Sequence, residues 1–203
     1  MEVDGKGQRT RRRILDAARR VFGRLGYDRA TIRTIAAEAD VDKSSVVKYF
    51  GTKESLFAEA VEFRIDIASL TASDPAVTAN NYLRAMLSDW AVEDAPMSVL
   101  LRASLTSEQA AESLRRHVTA ESVDQIAASV SGVPRDEARL RAALIGALLF
   151  GVATHRYLLR FPDLAEAELE DVIRLAAPLI QNLLEPPGED GAPGTACRAA
   201  GER

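Results

Sequence analysis

Cysteine, histidine and aromatic residues are scarce in this chain of 203 residues. It has one cysteine and two histidines, and aromatic residues make up 5% of the sequence. Cys197 cannot form an intramolecular disulfide, and it has no companion cysteine or histidine at the spacing of a metal site. The sequence also lacks a Gly-rich phosphate loop and the G-x-S-x-G motif of serine hydrolases. We therefore expect neither an enzyme nor a bound metal or cofactor.

Long hydrophobic runs are absent as well. The longest apolar run covers residues 142–153, between Arg141 and His155, whereas a transmembrane helix needs roughly 20 apolar residues. The N-terminus lacks the basic start, apolar run and small-residue cleavage site of a signal peptide. These features predict a cytoplasmic protein without a membrane partner.

Charge is unevenly distributed along the chain. The net charge is −4, but residues 1–60 carry 13 Lys/Arg against 9 Asp/Glu, and residues 61–203 carry 13 against 21. All four lysines lie within the first 53 residues. Such asymmetry is typical of a protein in which one module binds a polyanion and the other keeps the molecule soluble.

Apolar residues recur with a helical period through residues 10–60. The pattern predicts a helix that is capped by Thr10 and ends at Gly26, and three more helices capped by Thr31, Asp42 and Thr52. Residues 1–8 are polar and Gly-rich, so we expect a disordered arm there. Three helices of about 15, 8 and 8 residues, with a tight turn between the last two, form the layout of a helix-turn-helix.

The rest of the chain is also predicted to be helical. We expect helices near residues 76–93, 97–107, 108–130, 135–160 and 165–184. No alternating run of β-branched residues predicts a strand. The predicted fold class is all-α, with a three-helix helix-turn-helix DNA-binding domain at residues 9–60 and a larger helical domain at residues 61–185. A tail at residues 186–203, with four glycines and three prolines, is expected to be disordered.

The third predicted helix has one apolar face and one polar face. Val46 and Phe50 would point to the core, and the opposite face would offer Lys43, Ser44, Val47 and Lys48, with Ser45 at its N-terminal edge. Lysines can pair with guanine or phosphate, and Val47 can contact a thymine methyl group. On an ordinary helix the same residues would form a solvated surface.

This part of the chain resembles the TetR-like family of bacterial transcriptional regulators. The resemblance covers residues 10–57 without a gap in register, and rests on RRRILDAA at 11–18, VF at 21–22, GY at 26–27, TIRTIA at 31–36 and VDKSSVVKYFGTKESL at 41–56. It implies base contacts by Arg33, Lys43, Ser44, Ser45 and Val47, and phosphate contacts by Tyr49 and Lys53. Lys48, on the same exposed face, completes the candidate set. Many family members carry an aromatic residue at the position of Val47, so the operator cannot be inferred from relatives.

Some of these residues have a second interpretation. Tyr49 could be a core aromatic, and Arg33 could form a salt bridge with Glu38 or Asp28. The basic residues at positions 9, 11, 12 and 13 could contact phosphates or the minor groove from a flexible arm, or could belong to a disordered basic tail.

Two predicted helices of the second half suggest a homodimer. The helix at 135–160 is apolar almost all round and carries a stripe of small residues at Ala143, Ala147 and Gly151. The helix at 165–184 has a nearly heptad-spaced seam of Leu169, Val172, Ile173, Ala176, Ile180 and Leu183. The resemblance places the family's dimer contact on these two helices, although both could serve only the monomer core. A two-fold dimer would match a palindromic DNA site.

The resemblance also implies a small-molecule effector bound among the middle helices. Candidate lining residues, each of a kind that is more often plain core than ligand contact, are Tyr82, Met86, Trp90, Leu101, Leu105, Phe150 and His155. Their low polarity favours an apolar or amphipathic effector. We therefore expect a cytoplasmic repressor that binds a double-stranded palindromic operator as a homodimer and is released by its ligand. The alternative is a helical small-molecule-binding or scaffolding protein without specific DNA binding.

Overall fold

Helices form all the regular structure that the computed structural model describes, which covers residues 5–63, 66–92 and 94–185. The helices are α1 (Lys6–Arg29), α2 (Ile32–Glu38), α3 (Lys43–Phe50), α4 (Lys53–Ala60), α5 (Ile67–Leu70), α6 (Pro75–Trp90), α7 (Pro96–Ser104), α8 (Glu108–His117), α9 (Asp124–Ala127), α10 (Arg135–Ala153), α11 (Pro162–Ala165) and α12 (Leu169–Leu184). A π-helical segment, Val118–Val123, joins α8 to α9, and another, Thr154–Leu158, extends α10. The all-α prediction is confirmed.

The short helices α2, α3 and α4 begin where the sequence predicts. The Thr31 hydroxyl accepts a hydrogen bond from the Thr34 amide at 3.0 Å, and the Thr52 hydroxyl accepts one from the Ser55 amide at 3.1 Å. Asp42 occupies the N-cap position of α3, but its side chain makes no capping hydrogen bond. Gly51 ends α3 with a φ of 72°, a left-handed conformation that favours glycine.

Helix α1 begins earlier than predicted, and its regular helical backbone is interrupted at Gly26, where the sequence predicts its end. It begins at Lys6, and the Thr10 hydroxyl donates to the Lys6 carbonyl at 2.9 Å, so Thr10 lies within the helix and does not cap it. Gly26, with a φ of 75°, bends the chain, but the helix resumes through Arg29. The first turn carries no apolar residue whose period could reveal it. Residues 6–8 are therefore helical, contrary to the predicted arm, while residues 1–4 and the predicted tail at 186–203 lie outside the described residues.

Aromatic side chains form the centre of the N-terminal core. The Phe57 ring meets the Phe22 ring edge-on at a centroid distance of 4.9 Å and the Tyr27 ring at 4.8 Å. Tyr27 is buried only because α1 continues past its bend at Gly26. The short helices α2 and α3 are held by this core, since helices of seven or eight residues are not stable alone.

The second half agrees with the predicted helices except at their borders. Pro75 and Pro96 lie in the first turn of α6 and α7, and Pro134 is the N-cap residue of α10. The predicted helix at 108–130 is divided by the π-helical segment into α8 and α9. The sequence analysis did not predict α5 and α11, because a helix of four residues is too short to show a helical period of apolar residues.

The predicted dimer seam of α12 is largely used inside the monomer. Its residues Val172, Ile173, Ala176 and Ile180 are buried, and α12 packs against α6 and α10. A different apolar surface is exposed, which we call the leucine face. It consists of Leu140 (62% exposed) and Leu144 (49%) on α10 with Leu175 (66%) and Leu179 (54%) on α12.

The α10 helix is longer than its apolar run suggests. With its π-helical extension it spans Arg135–Leu158, 24 residues, and is long and apolar enough to cross a membrane by length and composition. The sequence analysis considered only the apolar run at residues 142–153, and it therefore underestimated the length of this helix. A core helix of a soluble protein has the same properties, and α10 packs against α6, α9 and α12.

Two neighbouring valines on α3 allow a test of this fold. Val46 is fully buried and Val47 is 45% exposed. We expect Val46→Ala to lower the free energy of unfolding by about 2 kcal/mol because it leaves a cavity in the core. Val47→Ala should change it by no more than about 0.5 kcal/mol. Urea denaturation followed by far-UV circular dichroism measures both, and equal losses in the two variants would contradict the burial of Val46.

Candidate DNA interface

The two faces of α3 are separated as the sequence predicts. Val46 and Phe50 are buried, at 0% and 7% exposure. The opposite face offers Lys43, Ser44, Val47 and Lys48 to solvent, with Ser45 half-exposed at its edge. The outward face therefore combines two cations, small hydroxyl side chains and one methyl-bearing side chain.

Helix α2 is fixed to α1 by ion pairs. The Glu38 carboxylate accepts hydrogen bonds from Arg20 at 3.0 Å and from Arg24 at 3.3 Å, and these bonds lower the pKa of Glu38 below its ordinary value. Glu38 does not pair with Arg33. Arg33 is exposed on α2 and forms no ion pair, with Glu38, Asp28 or any other acid, in the part of the chain that the structure describes. Its guanidinium group is free for another acceptor.

Lys53 has structural contacts in addition to its predicted role. Its ammonium group donates to the Tyr27 carbonyl at 3.1 Å and lies 4.3 Å from the centroid of the Tyr27 ring. An ammonium has three donors, so it can still bind a phosphate at the N-terminus of α4. Burial and the nearby Glu54 carboxylate raise the pKa of Tyr27 to about 12. The Tyr27 hydroxyl therefore stays protonated at neutral pH and donates to Glu54 at 3.3 Å.

Tyr49 is half-buried beside the first turn of α1. Its hydroxyl is close enough that a Cβ added at Gly7 would lie 3.3 Å from it. Its ring also packs beside that of Phe50, with a centroid distance of 6.4 Å. Tyr49 therefore combines a ring packed beside Phe50 with a hydroxyl that lies beside the first turn of α1.

The basic cluster at residues 9–13 lies within α1, so the predicted flexible arm is wrong for these residues. Arg11 pairs with Glu59 and lies 5.1 Å from the Phe50 ring centroid, and Arg13 donates to the Asp40 carbonyl at 3.1 Å. Arg9 and Arg12 are exposed and make no side-chain contact of this kind with a described residue. Part of the cluster thus stabilises the domain, and part is free to meet a polyanion.

The second domain encloses an apolar cavity of about 440 Å³. Its lining comes from α5 to α10: Phe63, Ile67, Leu70, Tyr82, Met86, Met97, Leu114, Arg115, Val118, Ser122, Val123, Ile126, Ala143, Gly146, Ala147, Leu149 and Phe150. Small residues on α10 make the space, because a Cβ added at Gly146 would meet nothing within 4 Å. Ala143 and Ala147, which the sequence suggested as a site of close helix approach, face this cavity.

Three of the seven predicted lining residues, Tyr82, Met86 and Phe150, line the apolar cavity. The other four do not. Trp90 packs edge-on against Phe150 at 5.4 Å from the other side, and Leu105 is 77% exposed. His155 hydrogen-bonds through Nδ1 to the Gly151 carbonyl at 2.7 Å, and Leu101 packs against the core. Periodicity alone does not distinguish a cavity wall from close-packed core.

The two domains meet closely at Gly23 of α1. A Cβ added there would lie 2.9 Å from an Asp94 carboxylate oxygen and 3.5 Å from the Val99 side chain. Helix α7, which carries Val99, packs along α1 and also contributes Met97 to the apolar cavity. One short helix therefore touches both the cavity and the DNA-binding domain.

These features define a helix-turn-helix DNA-binding protein with an all-helical, cavity-containing second domain. Sequence profiles identify its family. Residues 14–60 match the profile of bacterial regulatory proteins of the tetR family, and residues 78–184 match that of the tetracyclin repressor-like C-terminal domain. The chain belongs to the TetR family, a family of transcriptional regulators and not of enzymes.

Curated relatives resemble part of this chain. An HTH-type transcriptional repressor of Mycobacterium tuberculosis is 40% identical over 47 residues, 23% of this chain and 25% of that protein. Another from Streptomyces coelicolor is 40% identical over 67 residues, 32% of this chain and 35% of that protein. The matched part therefore spans only about a quarter to a third of the length of these relatives.

Solved structures resemble the chain over most of its length. A TetR-family regulator from Streptomyces coelicolor A3 has 28% identity and a TM-score of 0.56, and the match covers 90% of this chain and 99% of that one. NalD, the secondary repressor of the MexAB-OprM multidrug efflux pump in Pseudomonas aeruginosa, has 21% identity and a TM-score of 0.67, covering 87% and 97%. The latter likeness shows the fold alone.

Proposed function

We propose that this protein is a transcriptional repressor that binds a palindromic operator as a homodimer and releases it when a small apolar or amphipathic effector binds. The observation that carries the proposal is the outward face of α3, which is polar and exposed directly opposite the buried Val46 and Phe50. A helix of this form fits the major groove of DNA.

The candidate residues take different roles in this proposal. Lys43, Ser44, Ser45 and Val47 on α3 and Arg33 on α2 reach base edges. Tyr49, Lys48 and Lys53 bind phosphates, which position the helix without reading sequence. Arg33 suits a base contact because it is exposed and has no carboxylate partner among the described residues.

The leucine face supports the homodimer. Its four leucines are 49% to 66% exposed, and α10 packs directly against α12. Contiguous apolar surface of this kind marks interaction sites in soluble proteins. A two-fold interface here would join α10 and α12 with the same helices of a second copy, although the α12 residues involved differ from the predicted seam.

The apolar cavity supports the effector. Its volume lies within the range of small-molecule sites, and its lining is mostly apolar. An occupant that displaces Met97 would move α7, and α7 packs along α1 of the DNA-binding domain. The effector then lowers DNA affinity to the extent that it prefers the displaced arrangement.

Repression and location follow from the family and the relatives. Both curated relatives are named as repressors, which favours repression here. A regulator of this kind meets its operator in the cytoplasm. The alternative, a helical scaffold or small-molecule-binding protein without specific DNA binding, would not need the exposed α3 face.

Removing two of the proposed contacts tests DNA binding. On DNA from upstream of the protein's own gene, the Arg33→Ala, Lys48→Ala double variant should lose the tight, sequence-selective binding of the wild type. Lys48→Ala alone should reduce the salt slope of the dimer by about 2, one released phosphate contact per subunit. Fluorescence anisotropy across a salt series measures both effects.

The matched control is Arg135→Ala, which removes an exposed arginine on α10, outside the DNA-binding domain. Its affinity and salt slope should equal those of the wild type. No binding of the wild type to any genomic fragment, even at low salt, would refute the repressor and favour the scaffold.

One charge on the leucine face should break the dimer. Leu175→Glu places a carboxylate on a surface that we propose is buried between two copies, and an unpaired buried charge is strongly unfavourable. Sedimentation velocity should give twice the chain mass of 22.0 kDa for the wild type and a single chain for the variant. Leu105→Glu, at a 77% exposed leucine on another surface, should remain dimeric. A dimeric Leu175→Glu protein would exclude this interface.

A larger side chain at Gly146 should fill the apolar cavity. A Cβ at position 146 would meet nothing within 4 Å, and Gly146 lines the cavity, so Gly146→Met should fill part of it and weaken binding of the neutral probe N-phenyl-1-naphthylamine at least about tenfold. Gly151→Met, also in open space on α10 but outside the cavity lining, is the control. Probe fluorescence measures both, and unchanged binding by Gly146→Met would rule out the cavity as the probe's site.

A further inference from the structure

A second pocket lies on the other side of Trp90 from the apolar cavity. It has a volume of about 700 Å³, lies between α6, α7 and the end of α10, and includes Trp90, Asp94, Arg102, Arg156, Tyr157 and Arg160 in its lining. We call it the arginine pocket. Its three guanidinium groups face one carboxylate among the described lining residues.

Arginines elsewhere in this domain are mostly ion-paired. The paired residues are Arg84, Arg115, Arg116, Arg139, Arg141 and Arg174. By contrast, Arg102, Arg156 and Arg160 have no carboxylate partner in the described part of the chain. Asp94 lines the same pocket, and one of its carboxylate oxygens lies beside Gly23 of α1, so this one carboxylate can offset at most one of the three charges. Three unpaired arginines at one place indicate a site for an external anion.

Buried donors at the pocket support this interpretation. The Trp90 side chain is 3% exposed, and its indole N–H has no acceptor among the described residues. The Nε atoms of Arg102 and Arg156 are also buried without an acceptor, although other nitrogens of these groups donate to Ser98 at 3.3 Å and to the Ala167 carbonyl at 2.9 Å. Buried polar groups are nearly always hydrogen-bonded in native proteins, so donors of this kind mark a place where an acceptor can bind.

The backbone at the end of α10 is unusual at the same place. Arg156 and Tyr157 lie in the π-helical segment Thr154–Leu158, and Arg160 follows with a φ of 53°. A left-handed conformation is unfavourable for arginine, and π-helical turns and backbone strain are both frequent at functional sites. The irregular backbone carries two of the three arginines of the pocket.

We propose that the arginine pocket binds a small, multiply charged organic anion through its phosphate or carboxylate groups. The guanidinium groups of Arg102, Arg156 and Arg160 neutralise the anion, and the Trp90 indole N–H supplies a further donor. The site is separate from the apolar cavity and suits ligands that the cavity excludes.

The arginine pocket adjoins both the apolar cavity and the DNA-binding domain. Trp90 packs against Phe150, which lines the apolar cavity, and Asp94 contacts α1 at Gly23. A bound anion therefore reaches the wall of the effector cavity and the edge of the DNA-binding domain. The protein would combine two chemically different signals, one apolar and one anionic.

The sole tryptophan of the chain makes binding directly measurable. Full-length protein is titrated with sodium pyrophosphate and, separately, with citrate at constant ionic strength, and Trp90 fluorescence is recorded. We expect a saturable change with at least one anion. Arg160→Gln should weaken it about tenfold, the effect of losing one charge-assisted hydrogen bond.

Arg160 is suited to this test because it is exposed and makes no side-chain contact with the described fold that its loss would disturb. Arg135→Gln, which removes an exposed arginine elsewhere on the domain that has no ion pair among the described residues, is the control and should bind like the wild type.

A response to pyrophosphate alone identifies a phosphate ligand, and a response to citrate alone identifies a carboxylate ligand. No saturable change with either anion, or equal weakening by Arg135→Gln, would overturn the proposal. The readout does not involve DNA, so failure of the repressor function would be seen separately.

Discussion

The burial of Val46 and Phe50 in the N-terminal core decides how α3 is presented. Because a helix has one buried side and one free side, fixing these two residues at 0% and 7% exposure fixes the outward direction of Lys43, Val47 and their neighbours. The core that holds them depends on the Phe22, Tyr27 and Phe57 rings, and on ion pairs between α1 and α2. The proposed DNA-binding surface is therefore a consequence of packing in a domain whose helices α2 and α3 are too short to be stable alone.

The proposed regulation by a ligand depends on how this packed domain is joined to the second one. Helix α7 lies between them, with Met97 at the apolar cavity and Val99 near Gly23 of α1. Glycine at position 23 permits this close approach, because a side chain there would meet Asp94. The arginine pocket adjoins the same junction through Asp94 and Arg102. Both proposed ligand sites thus lie within one or two side chains of the contact between α7 and α1, so a ligand at either site can act on that contact directly.

Much of the fold could be predicted because its signals are local. Thr31 and Thr52 cap their helices, Gly51 ends α3, and Val46 and Phe50 are buried as their spacing indicates. The sequence predictions that the structure contradicts failed for physical reasons. The first turn of α1 is polar, so it shows no apolar period, and a second short helical stretch follows the predicted interruption at Gly26. The seam of α12 faces the monomer core because helical period shows that a face is apolar, not what covers it. The arginine pocket could not be predicted at all, since Arg102 and Arg160 are far apart in sequence and meet only through tertiary structure.

The most direct test of the account is whether a change on the outward face of α3 alters the DNA sequence that is recognised. Operators are selected from a random-sequence library by the wild type and by Val47→Asn, because asparagine prefers adenine in the major groove. If α3 reads base edges, the two selected motifs will differ at one position in each half-site and agree elsewhere. Identical motifs with uniformly changed affinity would show that this face contacts only the DNA backbone, and would contradict the central claim.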